Sequence, residues 1–152
     1  MKIIGIDLAT SKGKTVLCAL GNEPRVYGID EDSDIITFIR DFDPSIIAID
    51  APLSFPEKAL RDEERGLHAL GIPVFPPNMP GMQKLTARAV ELKHRLTSYK
   101  VFEVYPYATR KLLGLNLEKN DINDSYVCAL TGWLHTRRLT RVIGESLIIP
   151  SE

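Results

Sequence analysis

The stretch that decides the fold is KIIGIDLA, residues 2–9, an apolar run that ends in a carboxylate at Asp7. Its length and apolar character predict a buried strand. A second run of the same kind is SIIAID, residues 45–50, which ends at Asp50. An almost wholly apolar strand is typical of a sheet covered on both faces. If the two strands lie side by side and parallel, Asp7 and Asp50 share the sheet edge where open α/β sheets bind ligands.

The other predicted elements follow outward from these two strands. Turn signals at 11–13 and 21–24 separate the first strand from two more, which predicts a three-stranded antiparallel meander. The predicted strands cover residues 2–9, 14–20, 25–29, 45–50 and 100–106, and the predicted helices cover 34–42, 56–70, 82–97, 107–113 and 121–138. Right-handed crossovers then give an α/β fold with a mixed five-stranded sheet of order 3-2-1-4-5 and helices on both faces. We expect a single domain over 1–152, with a helical insertion at about 52–99 between the fourth and fifth strands.

Composition excludes a disordered chain, a collagen-like chain and a dense disulfide scaffold. The chain has 152 residues, of which 44% are hydrophobic and 26% charged, as in ordinary globular proteins. No apolar run approaches the roughly 18 residues of a membrane-spanning helix. Cys18 and Cys128 are 110 positions apart and lack metal-ligand spacing. We therefore expect a cytoplasmic protein without a membrane partner, whose two cysteines are reduced core thiols.

Charge is unevenly distributed along the chain, although the net charge is only −1. Residues 30–64 contain eleven acids and three bases, whereas residues 65–111 contain eight bases and two acids. This asymmetry is compatible with a local positive patch that would bind an anionic partner.

Five acidic residues are candidates for a site. They are Asp7 and Asp50 at strand ends, Glu103 in the last predicted strand, and Asp121 and Asp124 at the start of the last predicted helix. Neighbouring carboxylates repel each other unless a cation lies between them. Oxygen ligands without clustered thiols or imidazoles favour Mg²⁺ or Mn²⁺. Two such ions roughly 3.5–4 Å apart would hold the attacking and leaving oxygens of a phosphodiester.

Each acid also has a structural alternative. Asp121 can cap the last helix and Asp124 can interact with its dipole. Asp50, before Ala-Pro, can begin a turn, and Glu103 can pair with a base such as Arg110. Asp7 has the weakest structural alternative, since burying an unpaired charge is costly.

The order of elements and the acids resemble the RNase H-like fold, and the D-x-x-D of Asp121 and Asp124 resembles that of RuvC-type Holliday-junction resolvases. The whole chain is similar to a family of predicted nucleases known as domain of unknown function 429. The resemblance rests on KIIGIDLATSKG, IIAIDAPLSFP, the R-x-x-x-R of Arg61 and Arg65 followed by LGIPVFPPN, EVYPYATRKLLG, and DSYVCALTGWLH.

The resemblance implies a metal-dependent phosphodiester hydrolase. Asp7 would bridge two ions, Asp50 and Asp124 would each hold one, and Glu103 and Asp121 would assist. The chain departs from the RuvC pattern at Asp50, where those enzymes carry Glu. RNase H proper takes one acid from its first helix, and here Glu103 is the substitute, which makes it a fourth predicted metal ligand.

Basic residues near the predicted site are candidates for substrate binding: Lys12, Arg61, Arg65, Lys84 and Arg88. Arg61 and Arg65 are one helical turn apart and so share a face, where two guanidinium groups suit a phosphate. They suit ion pairs with Glu57, Asp62 or Glu64 equally well. The lysines and Arg88 are also explained as exposed charges. Tyr105, Tyr107 and Phe75 are candidates for stacking on unpaired bases, with core packing as the alternative.

Three functions compete at this point. The first is a two-metal nuclease acting on DNA or RNA, for which a homodimer with two sites would suit a resolvase-like role. The second is a non-catalytic nucleic-acid or metal binding module of the same fold. The third is a phosphate- or nucleotide-handling relative of the actin, Hsp70 and sugar-kinase group, suggested by GIDLATSKGKT, although those proteins duplicate the fold.

Overall fold

The structure, a computed structural model, describes residues 1–10 and 14–151. Its strands are β1 (Ile3–Asp7), β2 (Val16–Leu20), β3 (Pro24–Gly28), β4 (Ile46–Ile49), β5 (Val101–Glu103), β6 (Thr140–Ile143) and β7 (Leu147–Pro150). Its helices are α1 (Asp32–Phe42), α2 (Asp62–Ala69), α3 (Gln83–Arg95), α4 (Pro106–Leu113) and α5 (Asp121–Thr136). The strands form one sheet of order β3-β2-β1-β4-β5-β7-β6.

The centre of the sheet has the predicted topology. β1 pairs antiparallel with β2 and parallel with β4, and β4 pairs parallel with β5. The four residues of β4 are buried, as expected for a strand covered on both faces. The predicted α/β class, the order 3-2-1-4-5 and the helices between the fourth and fifth strands are therefore confirmed.

The sheet has seven strands rather than five, because the chain ends in a hairpin that we did not predict. β6 and β7 pair antiparallel around Gly144, which has a φ of 66°. β7 is buried and extends the sheet beyond β5. Its apolar run has four residues, and periodicity in so short a run does not distinguish a strand from part of a helix.

Several element bounds also differ from the predicted ones, for local reasons. α2 begins at Asp62 rather than near residue 56. Glu64 Oε1 accepts the backbone N–H of Arg61 at 3.1 Å and so caps the first turn. β5 is only three residues long because Pro106 opens α4, where its fixed φ and missing N–H suit the first helical turn. α5 ends at Thr136, two residues earlier than expected.

The core lies on both faces of the central strands. One face packs against α1 and α3, whose buried side chains include Ile35, Ile39, Ala89 and Leu92. α5 lies against the other face. Both cysteines are buried and free. None of the helices within the described ranges is both long and apolar enough to cross a membrane.

Candidate metal centre

Two strand ends place the first pair of carboxylates. Asp7 is the last residue of β1, and Asp50 follows β4 directly. The two strands are parallel, with Ile6 opposite Ile49, and the backbone N–H of Asp50 donates to the carbonyl of Ile6 at 2.8 Å. The register therefore places both acids at the carboxyl edge of the sheet.

The first turn of α5 supplies two more acids, Asp121 and Asp124. The helix is capped by Asn120, whose side-chain oxygen accepts the N–H of Asn123 at 2.8 Å. Asp121 is thus not the cap that the structural alternative required. Because Asn120 satisfies the cap, the carboxylates of the first turn are not needed for it.

Gly5 explains how close α5 comes to the sheet. A Cβ at this position would collide with the backbone of Ser125 and Ala129 in α5. Absence of a side chain at the middle of β1 therefore allows the helix to lie directly on the strand. Asp124 precedes this contact in α5 and Asp7 follows it in β1, which brings the two carboxylates together.

The cluster consists of Asp7, Asp50 and Asp124. One carboxylate oxygen from each lies within 4.8 Å of the others. Asp121 lies beside Asp7 and contributes to the raised pKa of that carboxyl group. The structure therefore brings together four of the five predicted acids.

Burial and mutual repulsion make the ionised cluster unfavourable. Burial, followed by the contact with Asp121 and the charge of Asp50, raises the pKa of Asp7 to about 9. Burial and the charge of Asp124 raise the pKa of Asp50 to about 7. The pKa of Asp124 is also raised by burial, against the opposing effects of Arg110 and Lys119. Carboxylates held in this way lose their repulsion when a divalent cation binds between them.

The donor set fits such an ion. Three carboxylate oxygens with no thiol or imidazole among them are the hard ligands that Mg²⁺ and Mn²⁺ prefer. Arg110 is the cation nearest to Asp124, with its Nη2 at 2.9 Å from Oδ1. This contact lacks hydrogen-bond alignment, so Asp124 Oδ1 and Arg110 Nη2 have no hydrogen-bond partner in the part of the chain that the structure describes. Arg110 Nε also has none there.

Glu103 does not join the cluster. Its two oxygens accept from Nη1 and Nη2 of Arg61, each at 2.8 Å, and Oε1 also accepts the backbone N–H of Leu53 at 3.0 Å. The side chain is buried beside that guanidinium. The predicted role as a metal ligand is therefore corrected to a structural ion pair, and the partner is Arg61 rather than Arg110.

The two arginines predicted to bind phosphate are also paired with acids. Arg61 is 7% exposed and holds Glu64 as well as Glu103. Arg65 pairs at the surface with Asp62 at 2.9 Å. Both arginines therefore form ion pairs, which was the alternative to phosphate binding. The reason is that the acids that open α2 lie within one turn of them.

The remaining predicted basic residues are Arg88, Lys84 and Lys12, and within the described residues neither Arg88 nor Lys84 forms an ion pair with the acid cluster. Arg88 binds Asp32 and the backbone carbonyls of Ala9 and Asp30, so it ties α3 to the loops that flank the meander. Lys84 is exposed near the start of α3. Lys12 lies outside the described residues.

Sequence reasoning missed the basic residues that do lie beside the acids. Arg110, Lys111 and Lys119 line a groove next to Asp50 and Asp124. Arg110 was considered only as a partner for Glu103. The signal that would have found it is position, since α4 follows β5 directly and its basic last turn lies at the same edge of the sheet.

The fold is that of an RNase H-like α/β protein. The chain is similar to the Thermus thermophilus RuvC structure in complex with Holliday junction substrate, with a TM-score of 0.54 and 13% identity over 91% of this chain and 96% of that one. A second T. thermophilus RuvC structure has a TM-score of 0.49 at 13% identity, again over 91% and 96% of the two chains. The fowlpox virus Holliday junction resolvase has a TM-score of 0.38 at 11% identity, over 90% and 99%. No protein-family model and no curated protein matches the sequence.

Proposed function

We propose that this protein is a metal-dependent nuclease that hydrolyses phosphodiester bonds of nucleic acid. The observation that carries the proposal is the cluster of Asp7, Asp50 and Asp124, whose oxygens lie within 4.8 Å of one another at the carboxyl edge of the sheet. The RuvC structure of similar fold is described as bound to Holliday junction substrate, which supports nucleic acid as the partner.

Asp7, Asp50 and Asp124 would hold Mg²⁺ or Mn²⁺ in this proposal. Asp121, in contact with Asp7, would extend the set toward a second ion shared through Asp7. A divalent ion supplies charge neutralisation for the phosphoryl oxygens and lowers the pKa of a bound water. The protein holds the carboxylates in place through the β1–β4 register and the Gly5 contact.

The alternative of purely structural acids fits the observations less well. Structural carboxylates are normally paired with bases or capped by N–H groups, as Glu103 is by Arg61 and Leu53. The strand-end acids instead face one another, so the charges of neighbouring carboxylates add to burial in raising their pKa values, whereas Arg61 opposes the effect of burial on the pKa of Glu103. Such an arrangement destabilises the fold without a cation, which favours a functional role.

A non-catalytic binding module is the second candidate. The contact between Arg110 and Asp124 favours it, because the guanidinium already neutralises part of one potential ligand. The third function proposed from the sequence, nucleotide handling, depends on the turn after β1, of which residues 11–13 lie outside the described part of the chain.

A cleavage screen tests the proposal. Labelled single-stranded, duplex, hybrid and branched substrates are incubated with Mg²⁺ or Mn²⁺ and the wild-type protein, Asp7→Asn or Asp124→Asn. We expect cleavage of at least one substrate by the wild type, and its loss in both variants. Asp62→Asn is the matched control, since Asp62 is exposed and forms a surface ion pair with Arg65.

Full activity in both Asp7→Asn and Asp124→Asn would contradict the mechanism. Binding of the metal and of a nucleic acid without hydrolysis would support the binding module instead. Folding of each variant is checked by circular dichroism, so that lost activity is attributed to the missing carboxylate.

A further inference from the structure

A groove of about 430 Å³ lies beside the acid cluster, and most of its lining residues are not proposed metal ligands. Asp50 and Asp124 are its acidic lining residues. The rest of its polar and aromatic lining consists of Tyr105, Tyr107, Arg110, Lys111 and Lys119. A ligand in this groove would therefore contact both the acid cluster and a basic, aromatic surface.

The basic side chains have free capacity for an anion. Arg110 is largely buried, yet its Nε has no acceptor within residues 1–10 and 14–151. A buried guanidinium donor without an acceptor is costly, and a phosphate oxygen would satisfy it. Lys119 and Lys111 are exposed, and Lys111 donates a long hydrogen bond, 3.3 Å, to the carbonyl of Gly71. Three cations thus outnumber the two acids of the groove.

Two tyrosines give the groove an aromatic wall. The rings of Tyr105 and Tyr107 lie 5.8 Å apart at an interplanar angle of 29°. Tyr105 is held in place by its hydroxyl, which donates to the carbonyl of Pro73 at 2.9 Å. Tyr107 is 42% exposed, so part of its ring is open to a ligand. An aromatic ring beside cations is the arrangement on which nucleobases stack while their phosphates are neutralised.

Stacking on an aromatic side chain distinguishes single-stranded from duplex nucleic acid. In a duplex the faces of the bases are covered by their neighbours, whereas an unpaired base offers its face to an aromatic side chain. Phosphates are present in both forms, so phosphate contacts alone do not select the single strand. The exposed ring of Tyr107 therefore favours an unpaired segment.

We propose that this groove binds a single-stranded segment of nucleic acid, with phosphates on Arg110, Lys111 and Lys119 and an unpaired base stacked on Tyr107. Since Asp50 and Asp124 also line the groove, a strand bound there would have its backbone beside the acid cluster. This inference rests on the proposed nuclease function and adds the substrate class to it.

Fluorescence anisotropy with a labelled oligonucleotide tests the proposal. All titrations are carried out in the Asp7→Asn background, which removes cleavage, against a single strand and a duplex of the same sequence. We expect the single strand to bind more tightly than the duplex. Tyr107→Ala should weaken binding of the single strand by roughly 5-fold or more, the cost of losing one stacked base. Tyr107→Phe should bind as tightly as the parent protein, because stacking does not need the hydroxyl.

Salt dependence separates the phosphate contacts from stacking. Lys119→Ala should lower the slope of log K against log salt by about 0.7, the value for one lost phosphate contact with a single strand. Tyr107→Ala should leave this slope unchanged. Lys100→Ala and Tyr27→Ala are the matched controls, since Lys100 precedes β5 at the opposite edge of the sheet and Tyr27 is an exposed tyrosine of β3.

Equal affinity for single strand and duplex, or unchanged affinity in Tyr107→Ala, would overturn the proposal. The cleavage screen is independent of this result. Cleavage that requires Asp7 but is insensitive to Tyr107→Ala would contradict the proposed role of the groove and support the nuclease function. Loss of single-strand binding in Tyr107→Ala, together with an absence of cleavage by the wild type, would support single-strand binding by the groove and contradict the nuclease function.

Discussion

At the scale of single residues, the acids at the carboxyl edge differ from the other buried acids in what surrounds them. Glu103 is buried but its charge is matched by Arg61 and by the N–H of Leu53. Asp7 has carboxylates for neighbours, namely Asp50, Asp121 and Asp124. The sequence predicted which acids end strands and open α5, since these positions follow from the apolar runs. It did not predict the partner of Glu103, because Arg61 is 42 positions away in the chain and reaches Glu103 only through the fold.

The raised pKa of Asp7 predicts a pH-dependent stability in the absence of metal. Asp7 has a pKa of about 9 in the folded protein and an ordinary value of 3.8. Its proton is therefore held more tightly when folded, so the associated stability is present at low pH and is lost as the pH rises toward 9. We expect the free energy of unfolding in EDTA to fall between pH 5 and pH 9.

Asp7→Asn should remove at least about 1 kcal/mol of that fall, since one pKa unit corresponds to about 1.4 kcal/mol. Urea unfolding followed by the fluorescence of Trp133, the only tryptophan of the chain, measures the effect at pH 5, 7 and 9. Asp62→Asn serves as the control. An identical pH profile in the wild type and Asp7→Asn would show that Asp7 is not destabilised by its neighbours.

Arg61 and Arg65 provide a second prediction at this scale, because they differ in burial. Arg61→Met should destabilise the protein by roughly 3–5 kcal/mol, since Glu64 and Glu103 would be left buried without their counter-charge. Arg65→Met should cost less than about 1 kcal/mol, because its pair with Asp62 is exposed. Chemical unfolding at pH 7 measures both.

Protonation of Glu103 offers a check on the cause. Burial raises the pKa of Glu103 and Arg61 opposes that rise, so the difference between Arg61→Met and the wild type should decrease toward pH 4, where Glu103 loses its charge more readily without the guanidinium. Equal destabilisation by the two arginine substitutions would mean that the buried network has no special role in stability.

At the scale of elements, the close contact between β1 and α5 controls the site. Gly5 lies in the middle of β1, and the absence of its side chain allows α5 to lie on the strand. Periodicity predicted both elements and their rough bounds. It did not predict how closely they approach, because that distance depends on one glycine rather than on the hydrophobic pattern.

Gly5→Ala is therefore expected to destabilise the protein by about 2–3 kcal/mol or more, since its Cβ would meet backbone atoms that do not yield easily. The same substitution should weaken Mn²⁺ binding, because moving α5 carries Asp124 away from Asp7. Gly28→Ala is the matched control, since a Cβ at residue 28 meets no atom within 4 Å. Thermal unfolding and Mn²⁺ titration of both variants decide the point, and wild-type behaviour of Gly5→Ala would contradict it.

The C-terminal hairpin shows where the sequence was insufficient at this scale. β7 reads as an apolar run of four residues, LIIP, next to Gly144. β1 and β4 are predictable from the sequence, because each is an apolar run of sufficient length that ends in an acid. β7 is defined by its parallel pairing with β5, which is a property of the assembled sheet.

At the scale of the whole molecule, the topology brings four acids to one edge of the sheet from three separate segments of the chain. β1 and β4 contribute one acid each, and the start of α5 contributes two. This gathering was predictable from the order of elements, since parallel neighbours end at the same edge. The groove was predictable only in part: the position of α4 directly after β5 indicates Arg110 and Lys111, whereas Lys119 comes from the loop before α5, which only folding places beside the acids.

We propose that residues 1–152 form one domain, consistent with all seven strands belonging to a single sheet. A homodimer with two acid clusters stays a prediction from the resolvase resemblance. Light scattering coupled to size exclusion would check it, with a mass near twice the 17.0 kDa of the chain as the expected result. A mass of one chain, with and without a branched substrate, would contradict it.

The most direct test of the account is a calorimetric titration of Mn²⁺ and Mg²⁺ into the wild-type protein, Asp7→Asn and Asp62→Asn. The account predicts saturable binding to the wild type and to Asp62→Asn, and its loss in Asp7→Asn while the fold is retained. Binding that is equal in all three proteins, or absent from the wild type with and without nucleic acid, would mean that Asp7, Asp50 and Asp124 do not form a metal centre.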